Sequence, residues 1–186
     1  MDKLDEVVLV ELAVNNNDQR AFSELVNRHQ SNLRYSMRQL TNWNEDLADD
    51  LAQETFIQAF KQLHRFRKQA KFSSWLYRIG YNTFLQHVRK KQLDTQSIDD
   101  DDSYVSDQIA HAEQGDEDSP LHQKVAKLLA KLEPERRSVL HLLLHRQNTQ
   151  QEISDIMGIP LGTVKTHINR GRAALQQSLQ GWREVT

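Results

Sequence analysis

A chain of 186 residues can form one domain or two small ones, and its lack of cysteine removes disulfide frameworks, thiolate metal sites and thiol nucleophiles. No apolar run approaches membrane-spanning length, and the start, MDKLDEVVLVELAVNNND, has no basic lead and is broken by Glu11. These features predict a soluble protein, cytoplasmic in a bacterium. The formal net charge of −2 is poor for a nucleic-acid binder, but the average hides a segregation of charge.

Apolar spacing predicts helices over Glu6–Asn15, Asp18–Leu40, Asn44–Leu63 and Ser73–Gln92, with no segment alternating at a strand's period of two. Asn44 suits an N-cap, with Glu45, Asp46 and Asp49 complementing the dipole of its helix. From Thr55 to Leu93 there is no acidic residue. Lys61, Arg65, Arg67, Lys68, Lys71, Arg78, Arg89, Lys90 and Lys91 are interleaved there with Phe66, Phe72, Trp75, Tyr77, Tyr81 and Phe84. Basic residues mixed with aromatics favour a nucleic-acid surface over an ordinary solvated face. Trp75 and Leu76 read as core.

Asp94–Ser119 reverses the charge, with Asp99–Asp102 in a row and no Lys or Arg. Such a segment buries too little apolar surface to order itself, which predicts a flexible acidic linker over 94–119. Fully extended it reaches roughly 90 Å at ~3.4 Å per residue. That is enough to set two DNA-binding domains about two duplex turns (~70 Å) apart. The Asp run lacks the alternating ligands, turn glycine and final Glu of a calcium loop.

A second helical unit is predicted from Pro120 to Gln180. Leu121, Val125, Leu128, Leu129 and Leu132 share one face, and Pro134 opens a helix carrying Val139, Leu140, Leu143 and Leu144. Thr149 and Glu152 have capping-box spacing ahead of Ile153, Ile156 and Met157. Gly158 stops that helix and Pro160 starts the next, a helix-turn-helix pattern. Leu161, Val164, Ile168 and Leu175 turn inward, which leaves Lys165, Thr166, Asn169 and Arg170 outward, where a DNA major groove would meet them. His141 and His145 stand one helical turn apart like metal ligands, but among leucines and without a third ligand they read as half-buried core histidines. Phosphate loops and nucleophile elbows are absent, so nothing argues for an enzyme.

Two stretches carry a family resemblance. DLADDLAQETFIQAFKQL followed by FRKQAKFSSWLYRIGYNTFLQHVRKKQ resembles the promoter-opening domain of extracytoplasmic-function sigma factors, short members of the sigma-70 family. LEPERRSVLHLLLHRQNTQQEISDIMGIPLGTVKTHINRGRAALQQSL resembles their upstream-promoter domain. The resemblance implies an all-α fold with two small helical domains, 1–93 and 120–186, joined by the acidic linker. It implies that Asp49, Asp50, Gln53 and Glu54 dock on the coiled coil of the beta-prime subunit of core RNA polymerase. Phe66, the loop Lys68 to Ser73 with Lys71, Arg78, Ile79 and Asn82 would capture the minus-ten element as single-stranded DNA. Lys165, Thr166, Asn169 and Arg170 would read the minus-thirty-five element as duplex. Such factors are often held inactive by an anti-sigma partner that covers polymerase-binding surfaces; the resemblance leaves open whether this chain has one, and implies no metal or nucleotide cofactor and chemistry left to the polymerase. Lys68-Gln69 replaces a Gly-acidic pair common in the family, Gln150-Gln151 a Tyr-acidic pair, and Asn169 an aromatic residue or His; these departures bear on promoter preference. The alternatives are a stand-alone regulator binding operators through the helix-turn-helix, and a helical metal-dependent hydrolase using His141 and His145.

Overall fold

Asp18 and Asn44 set the frame of the amino-terminal unit. The Asp18 carboxylate accepts from the backbone N–H of Arg20 and Ala21 at 2.8 and 3.2 Å and opens α2 (Gln19–Leu40). The Asn44 side chain accepts from Leu47 N–H at 3.0 Å and opens α3 (Glu45–Gln62), whose first turn carries Glu45 and Asp46. Ahead of them lies α1 (Glu6–Asn15); a 3-10 turn (Leu63–Arg65) and α4 (Phe72–Gln96) follow. The carboxy-terminal unit contains α5 (Pro134–Leu144), α6 (Gln150–Met157) and α7 (Leu161–Arg183). The computed structural model describes residues 4–16, 18–66, 71–96 and 128–183, with the side chains of 94–96 and 178–183 left out. Every regular element among the described residues is a helix. Beyond its first residues, helical to Gln96, the predicted linker lies outside the described residues, as do Leu121 and Val125.

Helix starts agree with the sequence reading to within a residue, whereas α4 runs four residues past the expected Gln92. Between α2 and α3 the chain reverses through Asn42 and Trp43, both left-handed at φ 56 and 62°. The Trp43 ring packs edge-on against Tyr35, centroids 5.8 Å apart, and Thr41 donates its hydroxyl to Met37 O at 3.0 Å. That support holds a conformation most side chains avoid.

α2, α3 and α4 enclose a core of Leu25, Leu33, Met37, Ala52, Leu76 and Tyr81. Gly80 lets α4 approach α2 closely: a Cβ there would stand 3.1 Å from Met37 Cε and 3.2 Å from Leu33 Cδ1. In the second unit a Cβ on Gly171 would come within 2.6 Å of Leu140 Cδ1, so the bare glycine makes room for Leu140 where α5 meets α7.

The two units are packed together. Val139, Leu142, Ile153, Ile156, Met157, Val164 and Ile168 join the same buried cluster as the amino-terminal core, while Leu129, Leu132 and Leu140 form a smaller cluster with Ala174 and Leu175. Arg137 clips the units: its guanidinium donates to Leu40 O (2.7 Å) and Asn42 Oδ1 (2.9 Å) on one side, and to Ala130 O (2.5 Å) and Leu132 O (3.2 Å) on the other. Arg89 meets Glu135 at 3.0 Å, and the Arg146 guanidinium lies 4.4 Å above the Tyr77 ring.

His141, expected to be half-buried, is 2% exposed and sits inside this contact. Its ring stacks on His145 at 5.1 Å and stands 6.2 Å from Tyr81. Neither His141 nitrogen nor the Tyr81 hydroxyl has a hydrogen-bond partner. Burial first, then His145 and Arg146, lowers the His141 pKa from 6.5 to about 3.

Candidate nucleic-acid and polymerase interface

Three surfaces hold the residues singled out in the sequence. On α3, Asp50 and Gln53 are exposed and Asp49 and Glu54 half-buried, all on one side at helical spacing. Asp49 lies 3.6 Å from Arg34, and Glu54 accepts from Gln58 Nε2 at 2.7 Å. Gln53 also borders an open groove of about 410 Å³ between α2 and α3, lined by Phe22, Val26, Phe56, Ile57 and Phe60. Ile57 and Phe60 are each 40% exposed, and Phe22 meets Phe60 at 5.0 Å. Sequence reasoning passed over this groove. The available signal was that apolar residues of α3 surround more of the helix than one buried face needs.

The second surface surrounds the start of α4. Phe66 is 8% exposed, its ring held 5.1 Å from Trp75 and 5.9 Å from Phe72, and Ile79 is 9% exposed. Both therefore sit inward as found. Lys68 lies outside the described residues. Lys71, Arg78 and Asn82 are exposed. Leu76 is core, as expected; Trp75 is half-buried against it. Arg78 reaches the helix-turn-helix: its Nη2 is 3.5 Å from where a Cβ on Gly158 would stand. Thus a residue expected to meet DNA borders the turn of the other unit.

The third surface is α7. Thr149 and Glu152 form the expected capping box: Glu152 N–H donates to Thr149 Oγ1 at 3.2 Å, and Thr149 N–H to Glu152 Oε2 at 2.8 Å. The Thr149 backbone N–H first, and then its hydroxyl, 3.0 Å from Oε2, hold the Glu152 carboxyl below its ordinary range. Gly158 takes the left-handed conformation, φ 67°, and Ser154 donates to Ile159 O at 2.6 Å across the turn. Val164 and Ile168 are buried, which turns Lys165, Thr166, Asn169 and Arg170 to solvent together. Thr166 spends its proton on Gly162 O at 2.9 Å, leaving oxygen lone pairs free to accept.

His141 and His145 are brought together, but no group of three or more candidate ligands could hold a metal among the described residues. The contacts missed by sequence reasoning are those of Arg137, Arg146 and Tyr81. Each depends on residues far apart in the chain.

Both units match known families. A model of Sigma-70 region 2 matches residues 25–93, and one of Sigma-70 region 4 matches residues 128–177. The ECF RNA polymerase sigma factor SigW of Bacillus subtilis is 34% identical over 176 residues, covering 90% of this chain and 93% of the relative. Among solved structures, the sigma factor RpoE in complex with the anti-sigma factor NepR from Bartonella quintana matches with a TM-score of 0.71 at 26% identity, covering 86% of this chain and 96% of that one. CnrH in complex with the cytosolic domain of CnrY matches at 0.66 and 27% identity, covering 95% and 97%. With both regions present in order and a relative this similar along nearly its whole length, the chain belongs to the extracytoplasmic-function sigma factors of the sigma-70 family, which direct RNA polymerase to promoters.

Proposed function

We propose a division of labour among the three surfaces. Asp49, Asp50, Gln53 and Glu54 of α3 dock on the beta-prime coiled coil of core polymerase. Lys68, Lys71, Arg78 and Asn82, with Phe66 and Ile79 behind them, capture the minus-ten strand. Lys165, Thr166, Asn169 and Arg170 of α7 read the minus-thirty-five duplex. The observation that carries the reading is the face of α7: four polar residues turned outward together behind a capped turn, opposite a buried apolar face. The protein itself catalyses no reaction; it supplies binding energy that favours opened DNA.

The promoter elements lie about two duplex turns apart (~70 Å), so the units part when both are engaged. We also infer an anti-sigma partner. Two similar solved structures are complexes, one of them a sigma factor with an anti-sigma factor, and the apolar groove of Ile57 and Phe60 suits a partner's helix.

Run-off transcription with purified bacterial core polymerase tests the reading. Promoter-specific product that depends on this protein, and polymerase affinity lost on changing Gln53 and Glu54 to Ala, are expected. Promoter binding without polymerase, or unchanged affinity in that double variant, would count against it.

A further inference from the structure

We propose that the packing of the two units is an autoinhibitory contact that masks one DNA surface and leaves the other open. The carboxy-terminal unit lies over cations of α4, whereas the outward face of α7 stays clear. The inference rests on the strand-contacting role proposed above for Arg78 and Asn82 of α4.

Arg78 Nη2 stands 3.5 Å from where a Cβ on Gly158 would be, so the turn of the helix-turn-helix sits at that guanidinium. Beside it the Tyr77 ring lies under the Arg146 guanidinium, 4.4 Å away. One turn further on, Tyr81 faces His141 with centroids 6.2 Å apart. Roughly 16 Å beyond Arg78, at about 1.5 Å of helix per residue, comes Arg89. Its Nη2 donates to Glu135 Oε1 at 3.0 Å. Ahead of the helix, the charge of Lys71 is the smallest of the causes that lower the Glu152 pKa, which places a third cation near that carboxylate.

Glu135 and Glu152 of the carboxy-terminal unit thus face cations that a strand's phosphates would otherwise neutralise. A strand approaching α4 has to displace them. The face of α7 behaves differently. Lys165, Thr166, Asn169 and Arg170 are exposed while the units are packed, so a duplex reaches them without parting anything. Packing therefore lowers strand affinity in proportion to the packed population and leaves duplex affinity alone. Core polymerase, by holding the units apart on the two promoter elements, removes the mask.

The test compares the free full-length chain with the chain assembled on core polymerase. Its probes are a fluorescent minus-ten single strand and a minus-thirty-five duplex from a promoter that this holoenzyme transcribes. Arg137→Ala removes the clip between the units, and labels on α3 and α7 report whether they part. With a parted state populated at about 10% in the native chain, parting throughout should tighten strand binding by the free chain about tenfold. Duplex binding, and strand binding by the holoenzyme, should not change. A lock gives the converse. The native chain has no cysteine, so Gln86→Cys with Glu135→Cys makes one pair for a short cleavable bismaleimide, leaving Arg89 in place. The joined chain should lose strand binding and keep duplex binding, and cleaving the linker should restore the strand. Units parted in Arg137→Ala with strand affinity unchanged would overturn the proposal and leave the capture reading intact. So would a joined chain that binds the strand as well as the cleaved one. If Arg137→Ala stays packed or loses duplex binding, the joined chain alone decides. Strand binding by the holoenzyme that survives Arg78→Ala with Asn82→Ala would overturn the capture reading and the proposal together.

Discussion

The two regions proposed to face DNA hold their candidate recognition side chains in opposite ways. On α7 the polar groups stand outside a finished scaffold: Val164 and Ile168 are inside, and Lys165, Thr166, Asn169 and Arg170 are outside. Around the loop before α4, recognition and core overlap, because Phe66 and Ile79 belong to the buried cluster and Arg78 lies against the other unit. Duplex edges are read from a groove, so a helix can present donors in advance. An unstacked base needs an enclosing wall, and a wall of aromatic rings is also core material.

Phe66→Ala should therefore have the largest effect. Losing a buried aromatic ring costs about 3–5 kcal/mol of stability, alongside impaired opening of duplex promoters. Exposed Asn82→Ala should impair opening on duplex templates more than on pre-opened ones, with stability changed by about 0.5 kcal/mol or less. Thermal unfolding and transcription on both templates would check this. A large stability loss in the Asn82 variant would erase the distinction between wall and edge.

The contact between units offers the next break. Arg137→Ala removes four charge-assisted hydrogen bonds and leaves Leu40 O and Leu132 O without that donor. With one such bond worth about 1.5–3 kcal/mol, we expect the docked population to collapse. Distance measurements between labels on α3 and α7 would report it. An unchanged distance distribution would mean that apolar contacts alone hold the units.

On α7 the expectation divides by chemistry. Arg170→Ala should cost about 1–3 kcal/mol and relax preference at one base pair if the guanidinium pairs with guanine. Lys165→Ala should weaken all sequences alike and lower the salt slope by about one if its ammonium neutralises a phosphate. Titrations against single-base variants at two salt concentrations separate the two. Selectivity surviving loss of both side chains would move the reading surface elsewhere.

The smallest effect sharpens the comparison through pH. His141 has a pKa of about 3 when docked, against an ordinary 6.5. His145 and Arg146 act on it from its own side of the contact, and Tyr77 and Tyr81 stand opposite on α4. A lowered histidine pKa means that the docked state excludes the proton and the parted state accepts it. Docking should thus be at full strength above 6.5 and weaken as pH falls from there towards 3. His141→Phe keeps the ring and should flatten the profile. The same labelled distances followed from neutral to mildly acidic pH would show it, and a slope retained in His141→Phe would assign the effect to another group.

How much was legible in the sequence follows the range of the interactions. Capping signals at Asn44 and Thr149, the glycine stop at position 158 and the apolar period of α7 act within a few residues, so the elements and the outward face of Lys165, Thr166, Asn169 and Arg170 could be read without a structure. The charge reversal at Asp94 likewise marked two units. Composition could not show that Phe66 and Ile79 point inward, because a buried aromatic and a base-stacking aromatic are the same residue until neighbours such as Trp75 and Phe72 are in place.

The rest was decided by tertiary structure. Arg137 satisfies carbonyls from two units, the Arg146 guanidinium finds the Tyr77 ring, and His141 is buried opposite Tyr81 with no partner for its nitrogens. Sequence periodicity records which side of a helix is apolar, but not which distant helix covers it. A cation, a ring or an imidazole gains its role here only from a partner brought near by the packing of the two units, and local spacing carries no information about that approach.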